Sequence, residues 1–170
     1  MTPGVRKVVL GVHIAVSVGW LGAVGAYIAL DVAVATGRDA NLLRGLYSAM
    51  DLVVRAVIVP LALGTVVTGL VVALGTRWGL FRHYWVVISL LLTVGATAVL
   101  LVEAGAVAHL ADAADRATSS EQVRGLGHTL PHSVGGAIVL LVVLMLNIHK
   151  PQGLTRYGWR KQQSSDRATT

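Results

Sequence analysis

Four residues near the N-terminus have the types and the spacing of a ligand-binding stripe. His13, Ser17, Trp20 and Tyr27 lie in the uncharged stretch 8–30, and on a helix they share one face. An imidazole there could ligate haem iron or carry protons, and the two aromatic rings could pack on a porphyrin or quinone. The alternative is a neutral histidine hydrogen-bonded to Ser17 or to a neighbouring helix. His13 is therefore the first candidate cofactor-binding residue, with haem b as the hypothetical cofactor.

A second set of polar residues lies near the predicted ends of apolar segments. Either these residues form a buried charge cluster around an arginine, or their side chains reach water at the helix ends. In the first case we expect the arginine to be neutralised by one or more of the acids. The set comprises Asp31, Asp51, Arg55, Glu103 and His132.

Other chemistries find little support in the sequence. His128 and His132 are four residues apart, but Pro131 favours a helix start between them, so no metal site is predicted. The chain has no cysteine, which excludes disulfides, thiolate metal sites and cysteine nucleophiles. No phosphate loop, nucleophile elbow or zincin helix is present, so no catalytic residue is assigned.

The elements that position these residues are predicted from hydropathy. Hydrophobic residues make up 55% of the chain and charged residues 13%, with a mean hydropathy of +0.71. These values predict an all-α polytopic membrane protein, a four-transmembrane-helix bundle, within residues 1–150. The spans are expected at about 8–30, 52–74, 84–102 and 130–148. Residues 31–51 are expected to be a polar connection, Pro60 to kink the second span, and residues 151–170 to form a basic tail.

Charge predicts the orientation of the bundle. Nine of the 14 basic residues fall on the side that holds both termini and the turn at 75–83. By the positive-inside rule this side is cytoplasmic, and the Arg-rich, Ala/Val/Gly-rich composition favours a bacterial plasma membrane. The basic residues on this side are Arg6, Lys7, Arg77, Arg82, Lys150, Arg156, Arg160, Lys161 and Arg167. Because membrane-protein loops explain the positive charge, no nucleic-acid partner is expected.

This orientation predicts two polar layers at different depths. His13, Trp85, Ser89 and Asn147 are expected near the cytoplasmic end, and the five residues of the charged set near the other end. His13 and His132 would then lie on the order of 15–20 Å apart along the membrane normal, too far to share one haem iron. The opposite face of the first helix carries Gly11, Ala15, Gly22 and Ala29, small residues that favour close approach of another helix.

Three stretches resemble known bacterial membrane proteins. The first helix, from Val12-His13 to Trp20-Leu21-Gly22, is similar to that of copper-resistance D-type domains and of the membrane-bound bacterial protoporphyrinogen oxidase. Residues 74–85 and the stretch from His149-Lys150-Pro151 to Tyr157-Gly158-Trp159-Arg160 resemble an uncharacterised actinobacterial four-helix integral membrane protein family, a domain of unknown function. The oxidase resemblance implies a haem near His13. The chain departs from the actinobacterial family at Ser89, where its members carry a lysine.

Two functional hypotheses follow. The first is a non-enzymatic bundle that binds a ligand, an ion or a partner in the lipid bilayer, as a homo-oligomer or as a subunit of a membrane complex. The second is a haem b-binding membrane redox protein. An absorption spectrum of the purified protein would discriminate between the two.

Overall fold

The computed structural model describes residues 1–75, 80–151 and 153–167, and those residues are arranged almost entirely in helices. The helices, in chain order, are α1 (Pro3–Thr36), α2 (Ala40–Val53), a π-helical turn (Val54–Ile58), α3 (Val59–Gly75), α4 (Tyr84–Arg116), α5 (Ser120–Arg124), α6 (Leu130–His149) and α7 (Arg156–Arg167). Residues 76–79 of the stretch that resembles the actinobacterial family, including Arg77, lie outside the described residues.

Four helical segments are long and apolar enough to cross a membrane, which confirms the predicted four-span, all-α architecture. They are Pro3–Thr36, Ala40–Gly75, Tyr84–Arg116 and Leu130–His149. Most of their apolar side chains point outward, as expected when lipid and not water surrounds them. The chain is therefore an integral membrane protein.

The four spanning helices form an antiparallel ring. α1 packs against α3 and α6, and α4 packs against the same two helices. The N-terminus lies beside the end of α3, where Met1 contacts Gly75. Leu154 forms an isolated β-bridge with His83 just before α4. Both termini therefore lie at one end of the bundle, which we call the tail end; we call the opposite end the distal end.

A proline explains the π-helical turn in the second span. Pro60 has no N–H for the helix ladder, and its ring would crowd the carbonyl one turn earlier. The widened turn Val54–Ile58 lies directly before it, and the N–H of Val59 bonds to the carbonyl of Val54, five residues back. Helix α2, the turn and α3 thus form one continuous helix of 36 residues. A π-helical turn therefore precedes the proline at which a kink was predicted.

The distal end contains a helical layer where the sequence analysis predicted a polar connection. Residues 40–53 are helical because Leu43, Tyr47 and Met50 recur at helical spacing and are buried. They pack on the extended C-terminal part of α4 and on α5, where Val107, Ala111, Ala114 and Val123 are buried. At 34 residues, α1 is about 51 Å long and also extends beyond a hydrocarbon core of about 30 Å.

The small-residue face of α1 has no partner within the described part of the chain. Gly11, Ala15, Gly22 and Ala29 are all exposed, and a Cβ added at Gly11 or Gly22 would meet no atom within 4 Å. α1 meets α3 and α6 through its other side instead. No helix among the described residues therefore packs closely on the glycine face of α1.

Candidate functional site

A cavity of about 490 Å³ lies at the centre of the ring, toward its distal half. All four spanning segments contribute to its wall, and the volume is in the usual range for small-molecule sites. Its wall is mostly apolar, with polar side chains confined to one end. The lining residues central to the site are Trp20, Val24, Tyr27, Val54, Ile58, Leu92, Ala96, Glu103, Thr129, His132, Ser133, Gly136 and Leu140.

Glycines on α4 and α6 leave room for the cavity. Gly95 on α4 and Gly135 and Gly136 on α6 line it, and a Cβ built on any of the three would meet no atom within 4 Å. Helices that cross at glycines usually approach closely. Here α4 and α6 leave the space open, so the glycines create volume instead of a contact.

Polar contacts join α4 and α6 at both ends of this gap. Toward the tail end, the side-chain amide of Asn147 donates to the hydroxyl of Ser89 at 3.3 Å. At the distal end, Nε2 of His132 lies 3.5 Å from a carboxylate oxygen of Glu103. Each pair joins two residues that the sequence analysis placed in the same layer. The two helices are therefore joined by polar contacts near each end, and both line the cavity between these contacts.

The middle of this gap opens sideways between α4 and α6. Leu91 and Val99 line the cavity on the α4 side and remain 66% and 57% exposed. Pro131 and Gly135 line it on the α6 side and are also exposed. We call this set, with Gly95, the lateral opening. Because these residues belong to membrane-spanning helices, the opening faces the lipid phase.

Asp31, which is completely buried, lies behind the polar end of the cavity and binds two residues of its wall. Its carboxylate accepts hydrogen bonds from the backbone N–H of Thr129 at 3.0 Å and from the Thr129 hydroxyl at 2.9 Å. The Ser133 hydroxyl donates to it at 2.9 Å. Thr129 directly precedes α6, so a side chain from α1 caps the N-terminus of α6, where a negative charge also favours the helix dipole.

Tyr27 extends this network into the cavity. Its hydroxyl lies 2.8 Å from the hydroxyl of Thr129. Because the Thr129 proton is donated to Asp31, the Tyr27 hydroxyl is the donor in this contact. Trp20 and Tyr27 are 3% and 5% exposed and both line the cavity. Two of the four residues in the predicted N-terminal stripe therefore belong to the cavity wall.

His13 and Ser17 lie outside this cavity. His13 Nδ1 is 2.9 Å from the hydroxyl of Thr68 on α3, and that hydroxyl donates to the carbonyl of Gly64. Nδ1 is therefore the donor to Thr68. Ser17 donates to the backbone carbonyl of His13 on its own helix. The arrangement matches the alternative in which the histidine is hydrogen-bonded to a neighbouring helix.

The surroundings of His13 do not fit a haem. Its ring packs against Gly69, where an added Cβ would lie 3.1 Å from Cε1 of the imidazole. The ring therefore fills the contact between α1 and α3, away from the cavity wall. His132 is the one histidine among the described residues that line the cavity, and it faces Glu103. His13 and His132 therefore lie in different places and do not form an axial ligand pair.

The charged set does not form a single buried cluster. Arg55 and Asp51 pair with each other one turn apart on the same helix, through Nε at 2.7 Å and through NH2. The Arg55 side chain is 61% exposed, because it points away from Val54 and Ile58, which line the cavity. Asp31 pairs with α6, and Glu103 with His132. The five residues thus occupy three separate places.

Sequence reasoning missed Thr129 and Ser133, the partners of Asp31, and the three glycines of the cavity. Glycines inside the predicted spans are the sequence signal for such space. The described residues hold no group of three or more His, Asp or Glu side chains suited to a metal ion. Comparison with known protein families, curated proteins and solved structures finds no match to this chain. The resemblance to the actinobacterial family stays a prediction.

Proposed function

We propose that this membrane protein binds an amphipathic small molecule taken up from the bilayer. The observation that carries the proposal is the cavity of about 490 Å³ that combines an apolar wall, a polar end and the lateral opening. The lateral opening lies between two membrane-spanning helices, so it connects the cavity with lipid. A water-soluble ligand would instead need an opening to water. An amphiphile can place its chain against Leu92, Ala96 and Leu140 and its head group near Glu103 and His132.

Photolabelling tests this proposal. The purified protein in maltoside detergent is irradiated with a decanol that carries a diazirine in its chain, and labelled peptides are mapped by mass spectrometry. We expect labels on residues 91–107 and 129–140, with unlabelled 1-decanol competing. Labels spread evenly over the lipid-facing surface, with no competition, would refute the proposal.

A matched pair of variants separates the cavity from the protein surface. Gly136→Phe places a ring in the cavity, where an added Cβ has open space, and should remove the labelling. Gly25→Phe makes the same change on the exposed face of α1, where an added Cβ also meets nothing within 4 Å. We expect it to leave the labelling unchanged. Equal labelling of the two variants would contradict the proposal.

A further inference from the structure

The charges around the cavity are unbalanced. Glu103 lines the cavity, with its side chain 26% exposed. The carboxylate of Asp31 lies directly behind the wall, hydrogen-bonded to the lining residues Thr129 and Ser133. None of the described lining residues is Lys or Arg. The polar end therefore presents carboxylates without a permanent cation.

The nearby basic groups do not balance these carboxylates. His132 carries an imidazole, which is not a permanent cation, and its side chain is 61% exposed. The guanidinium of Arg55 is held by Asp51 on the outer side of its helix and does not line the cavity. Trp20 and Tyr27 add aromatic rings to the wall, and such rings attract cations. The charges and the rings favour the same class of ligand.

Resting on the proposed function, we propose that the cavity selects amphiphiles with a cationic ammonium head group. The alkyl chain occupies the apolar part of the cavity. The ammonium group lies between the carboxylate of Glu103 and the aromatic ring of Tyr27, which are both at the polar end. The Asp31 carboxylate adds attraction from behind the wall but keeps its own hydrogen bonds. The lateral opening lets the chain enter from the lipid, so the head group travels along the distal edge of the bilayer.

The test compares three competitors of equal chain length: decyltrimethylammonium, 1-decanol and decanoate. Each displaces the diazirine-decanol from the protein in maltoside detergent, and residual labelling in the Gly136→Phe variant gives the non-specific background. We expect decyltrimethylammonium to displace the probe at about tenfold lower concentration than 1-decanol, because it adds a partly exposed ion pair and a cation–π contact. Decanoate should be the weakest competitor.

Variants test whether the Glu103 carboxylate causes the preference for a cationic head group. Glu103→Gln should remove the tenfold preference for decyltrimethylammonium over 1-decanol, and Glu103→Asp should retain it. Glu121→Gln, which neutralises an exposed acid on α5, should change nothing. Equal displacement by the three competitors, a preference for decanoate, or a preference that survives Glu103→Gln would overturn the inference and leave the proposed function intact. No displacement by any competitor would refute the proposed function itself.

Discussion

Asp31 near the end of α1 and Thr129 at the start of α6 are joined by two hydrogen bonds, although they are 98 residues apart in the chain. The carboxylate replaces the local cap that Thr129 does not make with its own side chain. One buried residue thus caps the helix terminus that is next to the contact between His132 and Glu103. The polar end of the cavity depends on this contact.

We expect Asp31→Asn to lower the free energy of unfolding by about 1–3 kcal/mol, because an amide turned toward three donors leaves at least one of them unpaired. The thermal midpoint of the purified protein in detergent measures the loss. Asp115→Asn, which changes an exposed acid on α4, is the control and should have little effect. Equal midpoints for the two variants would show that the cap contributes nothing to stability.

We expect the exposed pair of Asp51 and Arg55 to be coupled in stability to each other but not to Glu103. We expect Asp51→Asn and Arg55→Gln to be non-additive in a double-mutant cycle of thermal midpoints, since the two side chains contact each other. Arg55→Gln combined with Glu103→Gln should be additive, because these residues occupy different places. Coupling between Arg55 and Glu103 would instead restore the single charged cluster that the sequence analysis considered.

We expect the His13 imidazole to prevent any larger residue at position 69 from being accommodated without loss of stability. Gly69→Ala brings a Cβ to 3.1 Å from the imidazole, so the ring must shift and the contact between α1 and α3 should weaken. In a His13→Ala background the same substitution should instead stabilise the helix by about 0.5–1 kcal/mol, the usual gain of Ala over Gly. Thermal midpoints of the four proteins test the change of sign. The same effect in both backgrounds would place the imidazole elsewhere.

The predicted orientation can be tested by labelling, because the chain has no native cysteine. Ser48→Cys lies on exposed α2 at the distal end, and Tyr157→Cys on exposed α7 at the tail end. In intact cells a membrane-impermeant maleimide should label the first variant, and it should label the second only after the membrane is permeabilised. This follows from the excess of Lys and Arg at the tail end. The reverse pattern would place the termini outside.

The four spans were predictable because each contains a long apolar run, and hydropathy needs no knowledge of neighbouring helices. The distal layer was missed for a different reason. Residues 31–51 contain charged side chains, and by hydropathy alone such a segment is predicted to be a loop between two spans. Leu43, Tyr47, Met50 and Val54 nevertheless recur at intervals of three and four residues, the period of an amphipathic helix. Periodicity was the better guide to this segment.

The candidate site shows a similar division. Depth alone predicted that Glu103 and His132 share a layer, and that Ser89 and Asn147 share another, and both pairs are in contact. The partners of Asp31 could not be predicted, because a cap between helices requires knowing that α1 lies beside α6. The wheel placed His13 on the same stripe as Trp20 and Tyr27. Along this stripe α1 contacts different neighbours at different depths. His13 packs against α3, whereas Trp20 and Tyr27 line the cavity.

The length of α6 has a consequence for the response to lipids. With 20 residues, or about 30 Å, α6 matches the hydrocarbon core of a typical bilayer, whereas the other three spanning segments extend well past it. A thicker bilayer therefore brings the non-helical backbone at the ends of α6 into the hydrocarbon core, whereas the other three segments are still helical at that depth. Its start is tied to Asp31 and its third residue, His132, faces Glu103, so tilting of α6 acts directly on the lateral opening. We expect the shortest helix to make occupancy of the cavity depend on acyl-chain length in the surrounding membrane.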